Sequence, residues 1–519
     1  MIRQHIGAVG VILSLTVGLG GLANAQSATP AAPKGEIDRS ATFRFAYVGA
    51  PLAYDPATVK NQFAGMAYML PTYDGLVRLD AKGAIVPDLA TSWTTSSDGK
   101  TITMTLRPNV KFTDGSDLTA AVVVKSLDRM KRDPESLYKE QLASFDSFEA
   151  KDPMTVVLHL NTPDANSFYT LSTSTGMIVS AKALDDHVDL SLNPVGTGPY
   201  KLVSSGPQGA IYERNEDYWD KSQNQFAKLN ILPIVDANAR INALQSGQID
   251  AAHLEVNQWP QIEAMVKTGK FGVRRVLQPN SNPLWLNTNV KPLDNPKVRM
   301  AMNLAINRDG INQGIQNGLC EPAAQAFMPG VVGFNDSLKP FTQDVEKAKA
   351  LLKEAGVGPF AIDVLAMNAE PTASVTIALK EQLAAIGVTL NIIPTAPNQV
   401  RVNYRTGNYG AMSMVLAVPA PDPASILDAA YLSPDNRGGV SPEMAKAIAD
   451  ARTKPIGSPD REAAYKAIVK ASYDNPQHVF VCYSPVLIVY RAEVVGAEKA
   501  AYVNAVPIPD ARMYGIVKK

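Results

Sequence analysis

Cysteine and histidine are scarce in this sequence, and their placement indicates neither a metal site nor a thiol nucleophile. There are only two cysteines, Cys320 and Cys482, and five histidines. The histidines beyond the N-terminal segment are His159, His187, His253 and His478. They lack the spacing of zinc ligands, and HExxH, GxSxG, GxxxxGK[ST] and CxxC motifs are absent. The sequence therefore gives little support to an enzyme, and we expect no cofactor and no bound metal.

An excess of charge of either sign is also lacking. Lysine and arginine number 49, aspartate and glutamate number 49, and the formal net charge is zero. This balance gives no electrostatic reason to expect binding to nucleic acid or to an anionic membrane. The hydrophobic content of 46% is that of an ordinary globular protein. At 519 residues the chain is too long for a single core, so we expect two or three domains.

Long apolar runs are missing beyond the N-terminus, where one short run indicates a targeting segment. Arg3 is followed by an apolar stretch over residues 6–22 and by Ala23-Asn24-Ala25, a small-residue cleavage pattern. We interpret residues 1–25 as a cleaved signal peptide and residues 26–40 as a flexible leader, so the mature protein is expected in the periplasm without a lipid anchor. In that oxidising compartment Cys320 and Cys482 either pair or remain two buried thiols, and the sequence leaves both readings open.

The periodicity of apolar residues predicts a mixed α/β chain. Residues 101–106 and 155–160 alternate as strands do, and Thr119 is placed to cap a helix over 120–130. Further along, a strand over 360–366, a helix over 373–386 and a strand over 388–393 follow one another. That β-α-β order predicts parallel strands joined by a right-handed crossover.

Several motifs together resemble the family 5 extracellular solute-binding proteins, which are the periplasmic dipeptide, oligopeptide and nickel receptors of ABC importers. The resemblance extends over essentially the whole mature chain. The motifs that carry it are LATSW (89–93), LRPNVKFTDG (106–115), PVGTGPY (194–200), RNEDYW (214–219), ALQSGQIDA (243–251), KVRMAMNLAINRD (297–309) and EKAKALLKEAG (346–356).

The resemblance implies a two-lobed periplasmic binding protein, of type II-like architecture with an extra β-rich subdomain and a ligand cleft between the lobes. Lobe I is then residues 41–279 with the return segment 490–519, and its subdomain is about 77–175. Lobe II is residues 280–489. The segment QPNSNPLWLNTNVKPLDNP (278–296) is expected to cross between the lobes, line the cleft and end at a helix that begins near Pro296.

The same resemblance implies a set of ligand-binding positions in both lobes. The expected set is Asn61, Gln62, Phe63, Tyr138, Trp285, Asn287, Arg401, Arg405, Leu416, Pro419, Asp422 and Tyr483. For Trp285 the alternative is plain core packing, and for the arginines it is a solvated helix face. Asp422 has the alternative of capping a helix over 424–430.

Pro419 stands where peptide receptors of this family have the acidic residue that pairs with the ligand's α-amino group. A proline cannot supply that charge, and an α-amino group buried without a counter-charge is costly. Arg401 and Arg405, four residues apart on one helix face, suit a carboxylate or phosphate. We therefore expect an anionic or amino-blocked ligand, such as a modified peptide, an opine-like conjugate or an organic acid.

The predicted function is capture of this ligand by lobe closure and its delivery to an inner-membrane ABC permease. The protein is expected to be a monomer that performs no chemistry. Two alternatives remain open: a standard di- or oligopeptide-binding protein, and a periplasmic chaperone or sensor partner.

Overall fold

The computed structural model describes residues 35–51, 53–60, 62–80, 83–164, 166–223, 225–281, 283–416, 423–455, 457–498 and 510–518. The predicted signal peptide and residues 26–34 of the predicted leader lie outside this range. Within it, no helix has the length and apolar character needed to cross a membrane.

The described strands are numbered in chain order. Those of the first half are β1 (Thr42–Tyr47), β2 (Val77–Leu79), β3 (Ile85–Pro87), β4 (Ala90–Thr95), β5 (Thr101–Leu106), β6 (Phe145–Asp152), β7 (Thr155–Leu160), β8 (Tyr200–Gly206), β9 (Gly209–Arg214), β10 (Lys228–Pro233), β11 (Ala251–Leu254) and β12 (Phe271–Ser281). Those of the second half are β13 (Leu284–Leu286), β14 (Glu321–Pro322), β15 (Phe360–Met367), β16 (Val388–Thr395), β17 (Ala411–Ser413), β18 (His478–Val479), β19 (Cys482–Arg491), β20 (Val494–Val495) and β21 (Gly515–Ile516).

The α-helices are numbered in the same way. They are α1 (Gln62–Met69), α2 (Ala120–Arg132), α3 (Ser167–Leu171), α4 (Ala181–Asp185), α5 (Ala237–Ser246), α6 (Trp259–Lys267), α7 (Pro296–Leu304), α8 (Arg308–Ile315), α9 (Val345–Glu354), α10 (Thr372–Ala384), α11 (Pro397–Thr406), α12 (Pro423–Leu427), α13 (Pro442–Arg452) and α14 (Pro459–Asp474). A π-helical turn, Asp428–Leu432, continues α12 directly.

Three larger sheets organise most of these elements, and β2 with β3 and β20 with β21 form two-stranded sheets. The first sheet has eight strands, in the order β12-β19-β11-β1-β10-β9-β8 with β14 beside β19. The second sheet has the order β16-β15-β17-β13-β18, and the third has the order β4-β5-β7-β6. The third sheet lies within the predicted β-rich subdomain, and every pair of neighbouring strands in it is antiparallel. The mixed α/β fold class predicted from the sequence is confirmed.

Local sequence signals explain several of these elements. In β5 the side chains of Ile102, Met104 and Leu106 are buried on one face, as the alternation predicts. The hydroxyl of Thr119 accepts a hydrogen bond from the amide of Val122 and so caps α2. In the second sheet β15 and β16 are parallel neighbours joined through α10, which is the predicted β-α-β unit.

Among the described strands the chain passes four times between the first and second sheets: from β12 to β13, from β13 to β14, from β14 to β15 and from β18 to β19. It leaves the first sheet at the end of β12 and enters the second at β13, so the passage lies inside the predicted crossing segment. Asn295 caps the helix that follows, since its side chain accepts from the amide of Lys297 at 2.9 Å, and Pro296 occupies the first turn of α7. The last of these passages runs from β18 into β19. The residue boundaries assigned to the lobes remain predictions.

The two cysteines form a disulfide. Cys320 and Cys482 are bonded with their Cα atoms 5.8 Å apart, across 162 residues of sequence. The sequence left open whether the two cysteines pair or remain buried thiols, and the structure shows that they pair. The bond joins the segment just before β14 to the first residue of β19.

Candidate functional site

A cavity of about 620 Å³ lies between the β-rich part of the chain and the helices between β17 and β18. One wall comes from residues 140–173 and includes Glu140, Asp164 and Asn166. The opposite wall comes from residues 425–452 and includes Ser425 and Arg452. Because both walls carry polar and charged groups, the cavity can hold a small polar molecule.

The two walls touch each other directly at one point. The hydroxyl of Ser425 donates to the side-chain oxygen of Asn166 at 3.3 Å, across 259 residues of sequence. Ser425 is buried by this contact. A hydrogen bond between groups on opposite walls requires the two walls to lie close together, as they do here.

The second wall includes a π turn, which forms the later part of the helix that the sequence predicts over 424–430. The α-helix ends at Leu427, and residues Asp428–Leu432 form the π turn. His478 contacts the carbonyl of Ala430 through Nε2 at 2.8 Å, and the hydroxyl of Tyr431 bonds that of Ser472 at 2.6 Å. These two hydrogen bonds give partners to the carbonyl of Ala430 and the hydroxyl of Tyr431 within the π turn. Asp428, in the same turn, forms an ion pair with Arg452 at the cavity.

Arg401 and Arg405 converge on a single carboxylate, that of Asp435. Both extend from α11, and Arg405 donates from Nε to Asp435 at 2.6 Å, while Arg401 pairs with the other carboxylate oxygen through Nη1. Asp435 is buried, whereas the side chain of Arg405 is 44% exposed. Burial lowers the pKa of Arg401 to about 10, so it stays charged at neutral pH. Two cations and one anion leave an excess of one positive charge.

This arginine pair is connected to the cavity wall. Ser433 lines the cavity, and its hydroxyl accepts from the backbone amide of Asp435 at 3.3 Å. Arg401 also donates from Nη2 to the carbonyl of Val415 at 3.0 Å. The arginines are therefore held by specific partners, and neither of them is a freely solvated side chain on a helix face.

Trp285 is completely buried in β13. Its Nε1 donates to the carbonyl of Met414 at 3.0 Å, and its ring lies 4.7 Å from the ring of His478. The guanidinium carbon of Arg401 lies 5.7 Å from the ring centre of Trp285. The Trp285 ring therefore packs next to the guanidinium of Arg401. It belongs to an apolar core that also contains the buried Leu416.

Three other predicted positions use their polar groups within the fold. Asn287 is buried and donates from Nδ2 to the carbonyl of Tyr409 at 2.9 Å. The hydroxyl of Tyr483 donates to the carbonyl of Gln325 at 2.7 Å, and burial raises the pKa of Tyr483 well above its ordinary value. The hydroxyl of Tyr138 donates to the carbonyl of Val59.

The remaining predicted positions fall where the structure describes little or nothing. Asn61, Pro419 and Asp422 lie outside the described residues. Gln62 and Phe63 are the first residues of α1, and their side chains also lie outside the description.

The cavity residues were not among the predicted ligand positions. Asn166, Ser425 and Arg452 are ordinary polar residues in the sequence, and no motif marks them. Asp435 could have been suspected only as an acid near two arginines, but 30 residues separate it from Arg405.

No metal centre accompanies this site in the described part of the chain. Among those residues no group of three or more histidine, cysteine, aspartate or glutamate side chains is placed to hold a metal ion.

Comparisons with known proteins place this architecture in one family. Residues 84–438 match the model described as bacterial extracellular solute-binding proteins, family 5 Middle. The glutathione-binding protein GsiB of Pectobacterium atrosepticum is 32% identical over 327 residues, covering 62% of this chain and 63% of that protein. GsiB of Salmonella typhimurium is 32% identical over 339 residues, covering 64% and 65%. The chain thus matches less than two thirds of the length of these relatives.

Solved structures show the same fold over nearly the whole chain. AgaA from A. tumefacien R10, solved in complex with agropinic acid, has a TM-score of 0.77 at 25% identity, covering 92% of this chain and 99% of that one. CtaP from Listeria monocytogenes has a TM-score of 0.82 at 21% identity, covering 93% and 100%. DppA from Helicobacter pylori, in complex with the peptide STSA, has a TM-score of 0.77 at 24% identity, covering 92% and 98%. The predicted two-lobed binding-protein fold is confirmed.

Proposed function

We propose, from the premise that the chain belongs to family 5 of the bacterial extracellular solute-binding proteins, that it captures a small ligand between its lobes and delivers it to an ABC permease. It does so as a periplasmic monomer, after removal of the segment 1–25, and it performs no chemistry. The relatives reported above are named as binding proteins, which supports this reading.

The proposed mechanism is closure of the two lobes around the ligand. Short segments join the first and second sheets between β12 and β13 and between β18 and β19, and a hinge of few residues allows a rigid-body rotation. A ligand that contacts both walls of the cavity stabilises the closed form by its differential affinity. The Ser425–Asn166 hydrogen bond then adds a direct contact between the walls.

The ligand carries an anionic group, and the arginine pair is the single observation that supports this assignment most strongly. Arg401 and Arg405 share one carboxylate, and among the described residues Arg405 pairs with it through Nε, while the terminal nitrogens of a guanidinium are donors suited to a carboxylate or phosphate. By the family resemblance, Pro419 stands at the position of the usual α-amino anchor, which favours an amino-blocked or acidic molecule. The relatives named for glutathione and solved with agropinic acid make these two compounds the first probes.

A standard peptide is the second candidate, and the first wall of the cavity favours it. Glu140 and Asp164 place two carboxylates along that wall. Either could pair with a peptide α-amino group in place of the missing acid at position 419. This candidate keeps the same capture mechanism and changes only the ligand class.

Native mass spectrometry of the mature protein, isolated from its own periplasm, tests both candidates. A co-purifying mass that is acidic or amino-blocked supports the anionic assignment, and a mass with a free α-amino group and no additional acid supports the peptide. If nothing co-purifies, calorimetric titration with glutathione, agropinic acid and the tetrapeptide Ser-Thr-Ser-Ala follows. Absence of binding to all three would count against ligand capture of this kind and favour a chaperone or sensor partner.

A further inference from the structure

Residues 316–322, here named the hinge loop, lie beside the point where the chain returns to the first sheet. Cys320 in this loop is bonded to Cys482, the first residue of β19. The next two residues form β14, in which Glu321 pairs with Tyr483 and Pro322 with Cys482. The hinge loop is therefore attached to β19 by one disulfide bond and by the two-residue pairing of β14 with β19.

The hinge loop also contacts the body of the first sheet. Asn317 donates from Nδ2 to the carbonyl of Val256 at 3.0 Å, in the turn that follows β11. Leu319 packs against the apolar cluster formed by α5, α6 and strands of the first sheet. The hydroxyl of Ser484 donates to the side-chain oxygen of Gln316 at 3.3 Å. Since α7 and α8, which precede the loop, pack with the second sheet, the loop bridges the two halves.

The strand ladder next to the loop is interrupted. β12 and β19 pair regularly from Phe271 to Leu277, and the register then shifts before Ser281 pairs with Tyr483. A bulge removes regular hydrogen bonds and lets the strands bend locally. The interruption lies where the chain passes between the sheets, so this is the pliable part of the connection.

We propose that the Cys320–Cys482 disulfide holds the hinge loop as a further contact between the two halves, and that Asn317 and Leu319 act as positioning residues that limit how far the lobes open. The inference rests on the lobe motion of the proposed function but not on the identity of the ligand. Without the loop, rotation at the bulge has fewer restraints. With it, opening must break the Asn317–Val256 hydrogen bond and expose Leu319.

The conformation of the loop suits this role. Asn317 has φ of +53° and Gly318 has φ of +72°, so two successive residues are left-handed and turn the chain sharply. Asparagine and glycine are the residues that tolerate this region best. The turn directs the amide of Asn317 toward Val256 while Cys320 anchors the end of the loop.

The competing interpretation is that the disulfide only stabilises the fold. Closing a loop of 162 residues restricts the unfolded chain and raises stability wherever the bond lies. The two roles are separable, because a purely stabilising bond changes the melting temperature and leaves the lobe separation of the folded protein unchanged.

The test compares the mature protein with C320A/C482A, N317G and N109G after ligand has been removed by dialysis, so that no ligand needs to be known. N317G keeps the left-handed backbone and removes only the side-chain donor. Asn109 also has a positive φ, of +60°, and is exposed between β5 and α2, so N109G is the matched control. The readouts are the radius of gyration from small-angle scattering, amide exchange in peptides covering 278–284 and 481–487, and the melting temperature.

We expect C320A/C482A and N317G to have a larger radius of gyration than the wild type, with exchange in both peptides about fivefold faster for N317G, the factor that loss of one hydrogen bond gives. N109G should match the wild type. An unchanged radius and unchanged exchange in N317G, with only a lower melting temperature in C320A/C482A, would overturn the proposal. If C320A/C482A does not fold, the comparison of N317G with N109G in radius of gyration and amide exchange is sufficient to test the proposal. A wild type that binds no probe would contradict the proposed function without altering this comparison.

Discussion

The guanidinium of Arg512 donates from Nη1 to the carboxylate of Asp74 at 2.9 Å, although 438 positions separate the two residues. Both side chains are buried. Asp74 also accepts hydrogen bonds from the hydroxyl of Thr197 at 3.0 Å and from Nε1 of Trp219 at 3.2 Å. Arg512 also forms an ion pair with the carboxylate of Asp510. This network fastens the C-terminal segment to the loop that precedes β2.

Replacing Arg512 with methionine should lower the free energy of unfolding by about 3–5 kcal/mol. The substitution removes the only positive charge that Asp74 and Asp510 contact among the described ion pairs, and a buried charge left without its partner costs this much. Urea unfolding followed by circular dichroism measures the change. Lys518→Met is the control, since Lys518 pairs with Glu36 at the surface and should cost about 1 kcal/mol or less. Equal effects of the two substitutions would contradict the network's role.

Asp88 should make the protein less stable as the pH rises from about 4 to 8. Its side chain is buried, and within the described residues neither carboxylate oxygen has a hydrogen-bond partner. Burial and the charge of Asp74 raise the pKa of Asp88 from 3.8 to about 8. The folded state therefore binds one more proton than the unfolded state across this range, and the free energy of unfolding falls with increasing pH.

The measurement for Asp88 is the free energy of unfolding of the wild type and of Asp88→Asn at several pH values between 5 and 8. Asparagine is neutral throughout, so the advantage of the wild type over the variant should shrink as the pH rises. A constant difference between the two proteins would show that Asp88 is ionised in the folded state at all of these pH values.

Trp285→Phe should lower the free energy of unfolding by about 1–3 kcal/mol, since it removes the hydrogen bond to Met414 and leaves a small void. Because the ring is buried, ligand affinity should change much less than for a residue that contacts the ligand. Trp93→Phe, at a partly exposed tryptophan of β4, is the comparison. Chemical denaturation and calorimetric titration together separate the two effects, and a large loss of affinity without loss of stability would assign Trp285 to the ligand surface.

Much of the fold could be predicted because short-range signals decide it. The alternation in β5 and the cap at Thr119 each depend on a few neighbouring residues. The helix predicted over 424–430 is present, but beyond Leu427 it continues as the π turn Asp428–Leu432. That turn depends on bonds to His478 and Ser472, which are distant in sequence.

The candidate site could be predicted only in part. The arginines were marked by their spacing on one helix, but the partner that fixes them, Asp435, comes from another segment. The two walls of the cavity meet through Asn166 and Ser425, 259 residues apart. Such contacts arise from tertiary packing, and no local pattern encodes them. The ligand-binding roles assigned to the predicted set therefore remain predictions.

Arg405→Gln should weaken the affinity for an anionic ligand about 10- to 100-fold, which corresponds to a charge-assisted hydrogen bond of ~1.5–3 kcal/mol. The fold should tolerate the change, because Arg401 continues to neutralise the buried Asp435 and the Arg405 side chain is well exposed. Arg405 is a cleaner choice than Arg401, whose removal would also free the carbonyl of Val415. Arg132→Gln, at an exposed arginine of α2 that pairs with Asp128, serves as the charge-matched control.

Calorimetric titration with the co-purifying compound, or with glutathione if none is found, measures the effect of Arg405→Gln. The loss should diminish at high salt, since part of the interaction is electrostatic and is screened. A neutral ligand analogue should bind the wild type and the variant equally, because it has no anionic group to pair with the guanidinium. If Arg405→Gln and Arg132→Gln bind an acidic ligand as tightly as the wild type does, the arginine pair has only the structural role of holding Asp435. The carboxylates of Glu140 and Asp164 would then become the leading candidates for ligand recognition, and with them a ligand that carries a cationic group.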